Sequence, residues 1–221
     1  MKHFKYIVIL LLSVAISEAF AQAPVDNNYI KVITERSNKI ITGAGITDSV
    51  KFKKVRDIVV AQYSDLNTIY DARKAKVNDI KTQMPDDKAG ANAKIALVDS
   101  NVAKQVKVLH TSYINKLNKE LSADEVDKIK DGMTYRIYPI TYTAYQDEIP
   151  TLTGEQKDKI KGWLLEAREN AIDAESAEKK HAWFGKFKGR INNYLSAQGY
   201  DMKKEGEEWQ KRIKERQAAK Q

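Results

Sequence analysis

The stretch DSVKFKKVRDIVVAQYSDLNTIYDARKAKVNDIKTQM (residues 48–84), followed by PDD (85–87) and KAGANAKIALVDSNVAKQVKVLHTSYINKLNKE (88–120), decides the fold. In its first half Phe52, Val55, Val59, Leu66, Ile69, Tyr70, Val77, Ile80 and Met84 recur every three or four residues, the period of an amphipathic helix. A helix over this span would be roughly 54 Å long at about 1.5 Å per residue. Pro85-Asp86-Asp87-Lys88 and Gly90 supply a turn. Ile95, Val98, Val102, Val106, Leu109, Tyr113 and Leu117 then carry the stripe back. The expected architecture is all-α: a helical bundle built on a long antiparallel helical hairpin, with a C-terminal group of shorter helices.

Working outward, Asn28–Thr42 reads as a helix ended by Gly43-Ala44-Gly45, and Thr47 or Asp48 is a fitting N-cap for the helix that follows. Downstream, Leu121-Ser122-Ala123-Asp124-Glu125 and Leu152-Thr153-Gly154-Glu155-Gln156 each place Ser or Thr three residues before Glu or Gln, the signature of a capping box. Between them the chain is rich in tyrosine: Tyr135, Tyr138, Tyr142 and Tyr145 surround Pro139. Proline disfavours a continuous helix through residue 138, so 134–150 reads as a connection with a loop or short extended piece, then a short helix ending before Pro150. Further helices are expected from Thr153 and over 177–197. A charged final helix contains Trp209 and Ile213, with a tail that frays from Arg216.

The N-terminus reads as an address. Lys2, His3 and Lys5 precede an apolar run over 7–16, and Ala19 and Ala21 fit a small-x-small cleavage site, so 1–21 is expected to be a signal peptide and 22–221 one helical domain. Within it, 27–120 holds the long helices and 121–215 the shorter ones. The expected location is periplasmic or secreted, with no membrane span after cleavage. Removing Lys2, Lys5 and Glu18 lowers the formal net charge from +8 to +7.

Several chemistries are excluded or unsupported. Cysteine is absent, so disulfides and thiolate chemistry do not arise. There is no Gly-x-Ser-x-Gly elbow and no phosphate-binding glycine loop, and His110 and His181 show no metal-ligand spacing. No metal and no cofactor are expected, and nucleic acid is an unfitting partner for a secreted chain. The densest constellation lies in 178–194. Trp183, Phe187, Ile191 and Tyr194 share one helical face and read mainly as core. Lys186, Arg190 and Asn193 share another, with His181 between. Gly185 and Gly189 each cost a helix roughly 1 kcal/mol relative to Ala and suggest a close neighbour or ligand approach.

A cationic face beside aromatic rings suits an anionic or hydroxyl-rich ligand. The candidate binding residues are Tyr135, Arg136, Tyr138, Tyr142, His181, Trp183, Lys186, Arg190 and Asn193. Were the protein an enzyme, a uronate-lyase-like elimination would need a charge neutraliser and a base, with Arg190, His181 and Tyr138 as candidates.

Asp131-Gly132-Met133-Thr134-Tyr135, Lys180-His181-Ala182-Trp183-Phe184-Gly185-Lys186 and Gly189-Arg190-Ile191-Asn192-Asn193-Tyr194-Leu195-Ser196 resemble a Bacteroidetes-type family of secreted proteins with a domain of unknown function. The resemblance covers roughly residues 27–213. It implies an all-helical extracytoplasmic protein, with members often encoded among polysaccharide-utilisation genes; the partner expected from the cationic, aromatic segment 178–194 is an oligo- or polysaccharide. The resemblance carries no catalytic residues. Leu152-Thr153-Gly154-Glu155-Gln156 is also similar to the Leu-Thr-x-x-Gln repeats of periplasmic chaperones, which implies polypeptide clients.

Overall fold

The computed structural model describes residues 27–219; the expected signal peptide and its cleavage site at Ala21 lie outside them. Among the described residues there are eight helices and no strand. They are α1 (Asn27–Gly43), α2 (Ser49–Gln83), α3 (Lys88–Glu120), α4 (Ala123–Met133), α5 (Ile137–Glu148), α6 (Gly154–Ile172), α7 (Ala177–Ala197) and α8 (Met202–Ala218).

Local chemistry starts most of them. The side chains of Asp48, Asp87, Ser122, Thr153, Ser176 and Asp201 accept backbone N–H groups at the starts of α2, α3, α4, α6, α7 and α8. Ser122–Glu125 and Thr153–Gln156 both close as reciprocal capping boxes. Gly45, at φ +81°, ends α1 in a conformation that costs glycine little.

α2 and α3 lie side by side. Lys54 pairs with Glu120 and Arg73 with Asp99, so the sequence positions run in opposite directions. The buried residues of α2 end at Leu66, and those of α3 are Ala91, Tyr113 and Leu117. The stripe between is half-buried, because over that length each helix packs chiefly on the other.

The core is double. Residues of α1–α4 form one apolar cluster around Ile41, Val55, Leu117 and Ile129, which Ile172 of α6 joins. Residues of α5–α7 form a second around Ile160, Leu164, Phe184 and Ile191. α6 belongs to both, and two polar side chains buried in its C-terminal half, Arg168 and, at its C-cap, Asp173, lie where the two clusters meet.

Three expectations change. α5 runs from Ile137 straight through Pro139. Pro139 occupies the first turn, where its missing N–H has no intrahelical partner to lose. The buried stripe of α7 is Lys180, Phe184, Phe187, Ile191 and Leu195, with Trp183 and Tyr194 at its edge rather than its centre. Arg216 does not fray: it grips both carboxylate oxygens of Asp147 at 2.7 and 2.8 Å, beside the indole N–H of Trp209 at 2.6 Å. These donors hold the Asp147 carboxyl well below the usual range. Arg212 adds hydrogen bonds to the carbonyls of Asp147 and Glu148 at the end of α5, so α8 is tied down by polar contacts although it buries no residue.

α1 packs tightly against α4 at Gly132, where an added Cβ would lie 2.7 Å from Ile40 Cγ2. Gly132→Ala should therefore destabilise the protein by about 1–3 kcal/mol through overpacking. Chemical denaturation checks this. In the double variant Ile40→Ala/Gly132→Ala the loss should be clearly smaller than the sum of the two single losses.

Candidate functional site

The site begins with a chain break in helical geometry. α4 ends at Met133, and the next turn buries Thr134, whose hydroxyl donates to the carbonyl of Lys130. Tyr135 and Arg136 then take φ +57° and +56°, a left-handed conformation that costs a non-glycine residue roughly 1–2 kcal/mol. The strain is held by backbone bonds from Arg136 N–H to Asp131 (2.7 Å) and from Ile137 N–H to Thr134 (3.1 Å). The Tyr135 ring also stacks on His181 of α7, centroids 5.4 Å apart and nearly parallel. Strained backbone persists only where its surroundings over-determine it, and such segments cluster at ligand sites.

This turn walls a cleft of about 860 Å³ between α1, α4, α5 and α6. Six cations line it, Arg36, Lys39, Lys128, Arg136, Lys161 and Arg168, against three carboxylates, Asp124, Asp127 and Asp131. All three carboxylates are engaged: Asp124 with Lys128 at 2.7 Å, and Asp127 and Asp131 with Arg168 at 2.6 and 2.7 Å. Lys39, Arg136 and Lys161 have no carboxylate partner among the described residues, and Arg36 lies over the Tyr63 ring at 5.8 Å. The cleft thus presents four cations free to meet an anion.

Arg168 is 3% exposed and lies over the Tyr138 ring at 5.4 Å. Burial works against its charge, but Asp131 and Asp127 more than compensate and keep it protonated. Its Nε is buried without a partner. Burial outweighs the ion pair for Asp131, whose carboxyl is pushed upward. Desolvation raises Tyr63 to about 12 and Tyr138 above its ordinary value, so both hydroxyls stay protonated at neutral pH.

Behind the cleft wall, the C-terminus of α6 is a second polar cluster. The Lys180 ammonium donates to the carbonyls of Ala171 and Ile172, at 3.1 and 2.5 Å, satisfying acceptors that a helix end leaves open. Asp173 accepts from Gln62 at 2.8 Å and from His110 Nδ1 at 2.6 Å, and its carbonyl accepts from Tyr70 at 2.8 Å. Since a carboxylate only accepts, Nδ1 carries the proton. That hydrogen bond raises the His110 pKa despite partial burial.

The residues expected from the sequence separate into groups. Tyr135, Arg136 and Tyr138 line the cleft; Tyr142 stacks beside Tyr138, and His181 lies against Tyr135. Trp183 lines a different cavity, under the Lys186 ammonium. Arg190 lies over the Trp163 ring at 4.7 Å, 3.8 Å from Glu166, and Asn193 is exposed. Arg190 and His181 are nine residues apart on α7, about two and a half turns, and so project from opposite sides of that helix. Gly185 and Gly189 have no neighbour within 4 Å of an added Cβ. Arg36, Lys39, Tyr63, Lys161 and Arg168 were not legible as site residues, because they come from three helices far apart in sequence. Asp127 and Asp131, one turn apart on α4, were the one local sign of a buried cation opposite.

These features define an all-helical protein with two apolar cores, joined across a polar seam that opens into a cationic cleft. The chain belongs to the family described as Protein of unknown function (DUF3826), whose model matches residues 30–215. A search of curated proteins finds no match. No helix among the described residues is long and apolar enough to cross a membrane.

Lys180 gives the seam a pH signature. Burial lowers its pKa from 10.5 to about 8. Above about pH 8 the unfolded chain therefore holds a proton that the folded chain has released, and stability rises with pH up to the unfolded value. Relative to Lys180→Met, the wild type should gain about 2 kcal/mol between roughly pH 7.5 and 9.5, a comparison in which the tyrosines common to both proteins cancel. Denaturant unfolding of both proteins across that range provides the measurement. A parallel dependence in the two would mean the ammonium is not penalised by burial.

Proposed function

We propose that the protein is an extracytoplasmic binding protein for anionic, hydroxyl-rich glycans, of the kind used in polysaccharide utilisation, and that the cleft at the seam is its site. One observation carries this reading: Arg36, Lys39, Arg136 and Lys161 converge on a cleft whose three carboxylates are all engaged by its other two cations, Lys128 and Arg168. A uronate carboxylate matches the planar fork of Arg136 or Arg36, and lysine adds a point charge. The protonated hydroxyls of Tyr63 and Tyr138 suit sugar oxygens, and the Tyr135 ring offers an apolar face to a pyranose. Secretion rests on the basic, apolar and small-residue pattern of residues 1–21.

The cleft favours binding over turnover. An elimination needs a base, and Tyr63 and Tyr138 are held protonated. Arg190 and His181, on opposite sides of α7, do not form a neutraliser–base pair.

Calorimetric titration with oligogalacturonate, and with a neutral oligosaccharide of equal length, tests the reading. The acidic oligomer should bind and the neutral one bind far more weakly. Arg136→Gln/Lys161→Gln should weaken binding by about 10- to 100-fold, the worth of one or two charge-assisted hydrogen bonds, with little change in melting temperature. Lys186→Ala/Arg190→Ala should leave the affinity as it is. The reverse pattern would move the site to the outer face of α7, and equal affinity for both oligomers would overturn the anion reading.

A further inference from the structure

The seam has a second opening, away from the cleft. A cavity of about 520 Å³ lies between α2, α3, α6 and α7, and His110 and Asp173 are in its wall. His110 Nδ1 is fixed on Asp173 at 2.6 Å, and Asp173, 7% exposed, is itself fixed by Gln62. The other ring nitrogen, Nε2, lies 3.8 Å from Glu169 Oε2, beyond hydrogen-bond reach, and Glu169 is already held by Lys130 at 2.9 Å. A histidine whose tautomer is set by a buried carboxylate, and whose second nitrogen is uncommitted at a cavity, has the arrangement of a general base.

The surroundings narrow the substrate. Arg73, Lys107 and Lys179 line the cavity against Asp99, Glu169, Asp173 and Glu175, so it carries no cationic excess, unlike the cleft. Val102, Ala103 and Val106 form an apolar wall, and the Trp183 side chain another. No serine, threonine or cysteine lines the cavity, so an activated nucleophile there would be water. Lys107 lies one turn before His110 on α3, without a carboxylate partner among the described residues.

We propose that Asp173 and His110 form a general acid–base dyad serving this cavity, and that its substrate is a small, uncharged O-acyl ester hydrolysed by water. His110 Nε2 takes a proton from water as the water oxygen bonds to the acyl carbon. Lys107 faces the negative charge that develops on the carbonyl oxygen. The ester C–O bond then breaks, and Nε2 returns the proton to the departing alkoxide, leaving a carboxylic acid and an alcohol. Asp173 is the positioning residue, and the short acyl group lies against the valine wall. The charged groups acting on His110 are Asp173 at the C-cap of α6, Glu169 of α6 and Lys130 of α4; Tyr70 and Arg73 of α2, Asp99 and Lys107 of α3, Glu175, and Lys179 of α7 line the same cavity.

The test is hydrolysis of 4-nitrophenyl acetate by the full chain, followed by the release of nitrophenolate. Saturable turnover is expected, with a rate that rises with pH through a midpoint above the ordinary histidine value of about 6.5. His110→Gln should lose at least about 100-fold in kcat while still unfolding cooperatively. Asp173→Asn should shift the midpoint downward as well as reduce the rate. Lys107→Met, at an exposed position that folding does not need, should lower kcat about tenfold or more with KM unchanged. Absence of hydrolysis above buffer would overturn the proposal. So would non-saturable hydrolysis that His110→Gln and Lys107→Met leave intact, the mark of an ordinary surface imidazole. Neither result touches the glycan reading of the cleft, which is read by different variants and by binding.

Discussion

A guanidinium sealed between two apolar cores has to be paired, and the arrangement of this protein follows from how Arg168 meets that need. At 3% exposure it has lost its water, and leaving such a buried charge without its carboxylates typically costs about 3–5 kcal/mol. The partners are Asp127 and Asp131, one turn apart on α4, so the ion pair fixes α4 against α6 in both rotation and height. Once Asp131 is held, its carbonyl accepts the Arg136 N–H, and the chain is bent into the left-handed pair that leads to α5. The stacking of Tyr135 on His181 then ties that bend to α7.

The same constraint explains why the polar chemistry collects in one layer. Each apolar cluster is closed by ordinary aliphatic and aromatic packing, and a single two-core protein needs a helix common to both. α6 fills that role, and its C-terminus, with open carbonyls and the negative end of its dipole, comes to lie inside the molecule. Lys180 supplies the positive charge that such an end requires, and Asp173 is tolerated there only because Gln62 and His110 hold it. Buried charge thus serves stability first. The two openings of the seam expose its edges, a cationic edge at the cleft and a balanced one at the dyad.

Much of this was legible in the sequence, and the failures are informative. Both capping boxes, the Asp48 cap and the glycine stop after α1 act within a few residues, so spacing alone reveals them. Pro139 misled because the rule against proline applies to helix interiors, and the sequence does not say that Ile137 is where α5 starts. Tyr135, Arg136 and Tyr138 stood out as a run rich in tyrosine and they do border the cleft. Arg36, Lys39 and Lys161 are single cations on amphipathic helices, indistinguishable from any solvated charge until α1, α4 and α6 are assembled. His110 showed no partner because Asp173 is 63 residues away.

The sequence by itself determined the all-helical class, the two capping boxes and the apolar stripes, because a 3.6-residue period and a capping side chain are local properties of the chain. The family too is a property of the sequence, matched over residues 30–215. Only the tertiary structure decided which charges are spent and which remain free. That depends on distances between helices: Arg168 consumes the two α4 carboxylates, and Lys39, Arg136 and Lys161 are left unpaired around the cleft because no carboxylate reaches them.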